Sequence, residues 1–197
     1  MRVLFATTNP AKIKRYVKKL QDKGIEVLTL KDIDIKLEVA ETGKNAIENS
    51  YLKAKAYYEA TGIVSIGIDS NLFIEELVEE KQPGTHVRRV NGKELTDEEM
   101  IQYYTKLVKD NGGKLTAKWV HGIVVYNGKE SKEYTWAKKH FYLVDKPHEK
   151  RHPGYPLDSI SIMPDFNKYC VELTQEEKNT DINNEDDVIN FIVKSLV

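Results

Sequence analysis

Val3-Leu4-Phe5-Ala6-Thr7-Thr8-Asn9-Pro10-Ala11-Lys12-Ile13 reads as a strand, a turn and the first turn of a helix. Val3 to Ala6 is a short apolar run of the buried-strand type. Thr7-Thr8-Asn9 is a turn, and Pro10 suits the first helical position, where its missing N–H costs nothing and its fixed φ is already helical. Ile13, Val17 and Leu20 then recur at i, i+4 and i+7, the spacing of one face of an amphipathic helix. Gly24 ends that helix, and Ile25 to Leu28 has the character of a second strand. A strand–turn–helix–strand opening is the start of a parallel α/β layer.

Outward from this unit, Glu41-Thr42-Gly43-Lys44-Asn45 is a polar loop, and Ile47, Tyr51, Ala54 and Tyr58 keep helical spacing up to Gly62. Ile63 to Ile68 is another buried-type strand, which the sequence predicts to close on a turn at Asp69-Ser70-Asn71. Thr96 with Glu99, and Thr174 with Glu177, are capping boxes: a hydroxyl and a carboxylate three residues apart satisfy each other's backbone N–H. Trp119 to Tyr126, Asn127-Gly128, and Lys129 to Trp136 predict a hairpin with a tight type I′ turn. His140 to Val144 adds a further antiparallel strand, and Val188, Ile189, Ile192, Val193 and Leu196 form the face of a C-terminal helix. The sheet is therefore expected to be mixed, parallel early and antiparallel in the middle.

With 197 residues and no linker or repeat, the chain is expected to form one domain over 1–197. A 40% hydrophobic and 31% charged composition is that of a globular protein, not a disordered one. Lys plus Arg number 30 against 31 Asp plus Glu, a balance with no bulk field for nucleic acid or a lipid surface, so neither is expected as a partner. The single cysteine, Cys170, permits no intrachain disulfide and points to a reducing compartment, the cytoplasm. The opening apolar run is too short for a signal-peptide core, and no stretch approaches the roughly 20 apolar residues of a membrane span.

Two groups of residues carry chemistry. Thr7, Thr8, Asn9 and Lys12 sit at a helix start, where free backbone N–H groups and the helix dipole favour an anion such as phosphate. The alternative is that Thr8 or Asn9 simply caps the helix while Lys12 lies in solvent. Glu48, early in the second helix, and Asp69, at a strand end, are oxygen donors of the kind Mg²⁺ takes. Against that, Glu48 complements its own helix dipole and Asp69 suits a turn. His121 lies in an apolar strand and reads as a satisfied core histidine. His86, His140, His148 and His152 lack metal-ligand spacing, and Cys170 reads as a small packing residue.

In order and spacing these segments resemble the inosine/xanthosine triphosphate pyrophosphatase family. Its T-G-N-x-x-K is matched by Thr7-Thr8-Asn9-Pro10-Ala11-Lys12. Its E-T-G-x-x-x-x-E-N-A-x-x-K-A is matched by Glu41-Thr42-Gly43, Glu48-Asn49 and Lys53-Ala54. D-D-S-G-L is matched by Ile68-Asp69-Ser70-Asn71-Leu72, and P-G-x-x-x-x-R by Pro83-Gly84 through Arg89. G-x-x-x-D is matched by Gly154 to Asp158, and E-L-T-x-E-E-K-N by Glu172 to Asn179.

The resemblance implies an α/β fold, an elongated mixed sheet flanked by helices with two lobes around a nucleotide cleft. It implies Mg²⁺-dependent hydrolysis of a non-standard purine nucleoside triphosphate to the monophosphate and pyrophosphate, in a homodimer. It assigns Asp69, Lys12 and Lys53 to catalysis, and Glu48 and Asp69 to the metal. Thr7, Thr8, Asn9, Lys12, Ser70, Arg89, Asp158 and Lys178 are assigned to substrate.

The chain departs from the pattern at Thr8 in place of Gly, Arg15 in place of Glu, Ile68 in place of the first acid, Asn71 in place of Gly, and Pro156-Leu157 in place of an aromatic-glycine pair. The family's Ser-His-Arg, which reads the purine, has no counterpart after Lys178-Asn179. Loss of a charged donor to a base carbonyl costs about 1.5–3 kcal/mol of recognition. Three readings follow: a working pyrophosphatase with altered or relaxed base choice, an impaired member that binds nucleotide or a partner, or phosphate-ester chemistry on a different nucleotide or sugar substrate.

Overall fold

The computed structural model describes residues 1–33, 35, 37–179 and 185–196. Its contacts divide the chain into two compact units. One comprises Met1–Ser70, Val120–Trp136 and Asn183–Val197, the other Asn71–Trp119 and Ala137–Ile182.

In the first unit, β1 (Arg2–Ala6) runs into α1 (Pro10–Gln21) and back into β2 (Glu26–Thr29). β1 pairs in parallel with β2 and, on its other side, with β3 (Ser65–Ile74), in the register Ala6↔Gly67. The opening is thus the parallel layer that its sequence predicts. Residues alternate between the two faces of the layer because side chains along a strand point to opposite sides. Val3, Phe5, Ile66 and Ile68 pack with Tyr16 and Leu20 of α1 and with Val188, Ile189 and Ile192 of α5 (Glu185–Ser195). Leu4 and Ala6 point the other way and pack with Tyr57 of α2 (Ala46–Thr61).

α2 begins at Asn45, whose side chain accepts from the Glu48 N–H, and ends at Gly62 in the left-handed conformation. Two glycines let its first turns lie directly on the sheet. A β-carbon on Gly67 would stand 1.9 Å from the Ser50 carbonyl oxygen, and one on Gly122 would stand 2.7 Å from the Ile47 nitrogen. Buried Ser50 closes the contact by donating to the Gly122 carbonyl at 2.9 Å.

β6 (Lys114–Tyr126) and β7 (Ser131–Ala137) form the expected hairpin, but not its expected turn. Type I′ geometry needs positive φ at both central residues. Gly128 has φ +89°, and Asn127 is not among the non-glycine residues with positive φ. Instead the Asn127 side chain accepts from the N–H groups of Lys129 and Glu130, which lengthens the connection and delays β7 to Ser131. A second difference is that Asp69-Ser70-Asn71 is not a turn. The strand continues to Ile74, since Leu72 pairs with Gly84 and the backbone of Ile74 is gripped by the Gln82 side chain.

The second unit is built on antiparallel pairing of the start of β6 with β8 (Phe141–Val144), of β8 with β9 (Ser161–Met163), and of β9 with β10 (Lys168–Tyr169). α3 (Asp97–Asp110) starts with the expected Thr96–Glu99 capping box and packs Met100, Ile101, Tyr104 and Val108 against Leu115, Phe141, Leu143 and Ile160. The Thr174–Glu177 box forms as well, opening α4 (Gln175–Asn179). Among the described residues the main sheet runs β10-β9-β8-β6-β3-β1-β2, with β7 on β6, and is mixed as expected. The described helices include none long and apolar enough to cross a membrane.

Candidate functional site

The turn after β1 is organised by its own side chains. Thr7 is buried, and its hydroxyl accepts from the Asn9 N–H at 3.2 Å. Asn9 Oδ1 accepts from Ala11 N and Lys12 N at 2.9 and 3.3 Å, so Asn9 is the helix cap. Thr8 is exposed. The capping alternative is therefore right for Asn9, but Lys12 does not lie in solvent. It turns inward, donates to the Ile68 carbonyl at 3.3 Å and stands 3.5 Å from Asp69 Oδ1.

Asp69 extends two residues beyond Gly67, the partner of the last residue of β1, on the strand face that meets α2. Its second oxygen faces Lys53 of α2 at 3.4 Å. Lys53 Nζ is also 2.9 Å from Glu41 Oε1, in the loop before α2. Two ammonium groups thus flank one carboxylate, and a second carboxylate closes the group on its exposed side.

The Lys12, Lys53 and Asp69 side chains are only 19%, 12% and 12% exposed, so these charges interact under reduced screening. Burial pulls the Lys12 pKa below its ordinary value of 10.5; Asp69 pulls it up, and the neighbouring Lys53 adds a further push down. One shared carboxylate therefore does not compensate Lys12 for the water it has lost.

Asp69 Oδ1 accepts from the Ser70 N–H at 2.8 Å, whereas buried Oδ2 makes no hydrogen bond beyond its ion-pair contact with Lys53. An acceptor oxygen without a donor is what an oxygen-seeking cation or a water proton would use. Ser70 Oγ lies 2.7 Å from His121 Nδ1.

Glu48 has both carboxylate oxygens engaged at its own helix start, one with the Lys44 N–H at 2.7 Å and one with Asn45 Nδ2 at 3.1 Å. Glu41, not Glu48, is the carboxylate that shares Lys53 with Asp69. No group of three or more His, Cys, Asp and Glu suited to a metal occurs among the described residues. Ile68, which stands where the resemblance expects a first acid, is buried among Val3, Phe5 and Ile66, on the strand face opposite Asp69. Arg15, also a departure, pairs with Glu185 at 3.3 Å.

The structure thus brings Lys12, Lys53, Asp69 and Ser70 together within the first unit. Arg89, Asp158 and Lys178 belong to the second. There Arg89 is an exposed residue of β4 (Arg89–Val90), and Asp158 Oδ2 pairs with His152 Nδ1 at 2.8 Å. Lys178 is half-buried in α4, with its N–H donating to the Thr174 carbonyl. The positions aligned with Ser-His-Arg, 182–184, lie outside the described residues.

Sequence reasoning missed two members of the first group. In the sequence Glu41 is only part of the E-T-G motif; in the structure the loop between it and α2 is closed by the Gly43 N–H donating to Asn49 Oδ1 at 2.7 Å. His121 read as a core residue because its strand neighbours are apolar. In the structure it is half-buried and bonded to Ser70.

The chain is similar to known proteins over most of its length. The chain is 35% identical over 188 residues to the dITP/XTP pyrophosphatase of Aquifex aeolicus (strain VF5), covering 91% of this chain and 89% of that one. It is 27% identical over 199 residues to the dITP/XTP pyrophosphatase of Thermoanaerobacter pseudethanolicus, covering 100% and 98%. The solved structure of a HAM1 protein from Coxiella burnetii shares its fold with a TM-score of 0.80 at 24% identity, covering 100% of this chain and 98% of that one. Residues 3–183 match the pattern of one family, and on that extent the chain belongs to the Ham1 family.

Proposed function

We propose that the chain is a nucleoside triphosphate pyrophosphatase that hydrolyses non-standard purine nucleotides of the dITP and XTP type to the monophosphate and pyrophosphate. The observation that carries this reading is the Lys12–Asp69–Lys53 group at the start of α1 and the end of the parallel pairing. A triphosphate brings several negative charges, and the two lysines, together with a divalent cation, are suited to neutralise them. The relatives named dITP/XTP pyrophosphatase supply the substrate class.

In this reading Lys12 and Lys53 hold the phosphate oxygens, and Ser70 donates its hydroxyl to one of them. Thr7 and Asn9 shape the turn that positions Lys12, with exposed Thr8 beside them. The water oxygen bonds to the first phosphorus as its bridge to the second phosphate breaks, and the Asp69 carboxylate accepts the proton that the water gives up. The buried, hydrogen-bond-free Oδ2 also suits a divalent cation, for which we propose Mg²⁺. Glu41 is its geometric companion through Lys53. Glu48, the companion expected from sequence, would have to give up its bonds to Lys44 and Asn45 to serve. When bound at these carboxylates, the cation supplies charge neutralisation and a more acidic water.

Arg89, Asp158 and Lys178 are proposed as further substrate contacts on the resemblance alone. The whole chain is proposed to act as one functional domain, as a cytoplasmic homodimer.

Incubation of the purified protein with Mg²⁺ and a panel of nucleoside triphosphates, with pyrophosphate as the readout, tests the reading. Release from dITP, ITP and XTP well above that from dATP and dGTP is expected. Binding of nucleotide without pyrophosphate release would overturn it in favour of an impaired, nucleotide-binding member. Chelation should abolish turnover and added Mg²⁺ restore it.

A further inference from the structure

His121 is joined to the Lys12–Asp69–Lys53 group through Ser70. Its ring is held from the other side. It stacks on Trp136 with centroids 5.1 Å apart and planes 25° from parallel. Trp136 stacks on Tyr134 at 5.8 Å, and Tyr134 on Phe191 of α5 at 5.4 Å. Trp136 is buried in the core of the first unit, with Tyr134 and Phe191 packed against it. The imidazole therefore cannot turn without breaking a stack that ends in the core, and its Nδ1 is held at 2.7 Å from Ser70 Oγ.

The direction of that bond decides what Ser70 can do. A serine hydroxyl has one proton to give and lone pairs to accept with. If it donates to Nδ1, only lone pairs remain, and these repel a phosphate oxygen. If it accepts from Nδ1–H, its own proton is free for the anion.

We propose that His121 is a positioning residue for phosphate binding: in its Nδ1–H form it donates to Ser70 Oγ and so aims the serine proton at the substrate's phosphate. The proposal deepens the pyrophosphatase reading and rests on it. Ser70 lies within β3, which fixes its backbone independently, so His121 is needed only to set the hydroxyl.

Three variants and one spectrum test it. Ser70→Ala should raise KM for dITP about tenfold with little change in kcat, the pattern of a lost binding contact. A KM unmoved in Ser70→Ala would sink the assignment of Ser70 to substrate, whatever His121 does. With that effect in hand, His121→Phe keeps a ring for Trp136 but has no donor, and should raise KM as much as Ser70→Ala does. The double variant should be no worse than either single one.

His121→Asn loses the stack but keeps a donor close to the Nδ1 position. It should recover most of the loss, to within about threefold of the natural protein. If His121→Asn is the worse of the two, or His121→Phe behaves as the natural protein does, His121 only packs and the proposal is overturned. Should both variants fail to fold, ¹⁵N chemical shifts of the natural protein's imidazoles decide. A His121 signal with the proton on Nδ1 supports the proposal, and one with the proton only on Nε2 overturns it.

Discussion

Gly67 and Ser50 approach so closely that a β-carbon on the glycine would stand 1.9 Å from the serine's carbonyl oxygen. The consequence is felt one step further along each element. Lys53 follows Ser50 by one helical turn and Asp69 follows Gly67 on the same strand face, and these two side chains meet at 3.4 Å. The close approach of helix to strand is what delivers the lysine to the carboxylate.

Gly67→Ala should therefore damage both stability and the site. The clash is with backbone, which cannot move aside as a side-chain tip could, and overpacking of this kind costs about 3 kcal/mol. Urea unfolding should show the loss as a lower midpoint, and pyrophosphate release should fall even where the protein is still folded. Gly122→Ala, whose β-carbon would stand 2.7 Å from the Ile47 nitrogen, should behave the same way.

Asp69→Asn removes the proposed proton acceptor and the negative charge between two lysines. Turnover of dITP should fall by about 10²–10³-fold, the scale of losing one preorganised electrostatic group. Steady-state kinetics with fixed Mg²⁺ would show this in kcat, and unchanged turnover would remove Asp69 from the chemistry.

Lys12→Met separates function from stability. Because burial holds the Lys12 pKa below 10.5, its charge is a burden on the ligand-free fold. That burden is fully present at pH values below the lowered pKa, and it is relieved as pH rises from there towards 10.5. The apolar variant should therefore melt no lower than the natural protein at pH 7, and the difference should shrink at alkaline pH. Its KM for dITP should rise roughly ten- to a hundredfold, the cost of about 1.5–3 kcal/mol for a lost charged contact. Calorimetric melting across pH and initial-rate kinetics read the two effects apart.

In the second unit, Asp97 ties the start of α3 to its surroundings, accepting from the Gly154 N–H at 2.8 Å and pairing with Arg88 at 2.8 Å. The Gly154 bond, and secondarily Arg88, hold its pKa below the usual 3.8. The stability it adds is present above pH 3.8 and is lost as pH falls through the lower folded value. Asp97→Asn should therefore be less stable than the natural protein at pH 7, with the gap closing in acid. Denaturant titrations at pH 7 and pH 3 check this.

Much of the fold was legible in the amino-acid order because its signals are local. Pro10 at the first turn of α1, Gly62 at the end of α2, and the Thr96–Glu99 and Thr174–Glu177 boxes act between residues at most a few positions apart, so spacing alone determines them. The alternation of Val3 and Phe5 with Leu4 and Ala6 likewise fits a strand covered on both faces.

What spacing could not decide was where competing partners would be found. Asp69-Ser70-Asn71 has the composition of a turn, yet it is strand, because Leu72 and Ile74 find pairing partners at Gly84 and Gln82. Lys12 would sit in solvent on any local argument, but packing of α1 beside β3 sets it against a carboxylate 57 positions away. His121 looks like core and becomes the neighbour of Ser70 only through strand pairing. Burial and charge are properties of what surrounds a group. The surroundings of these three residues are assembled from distant parts of the chain, and only the folded molecule contains them.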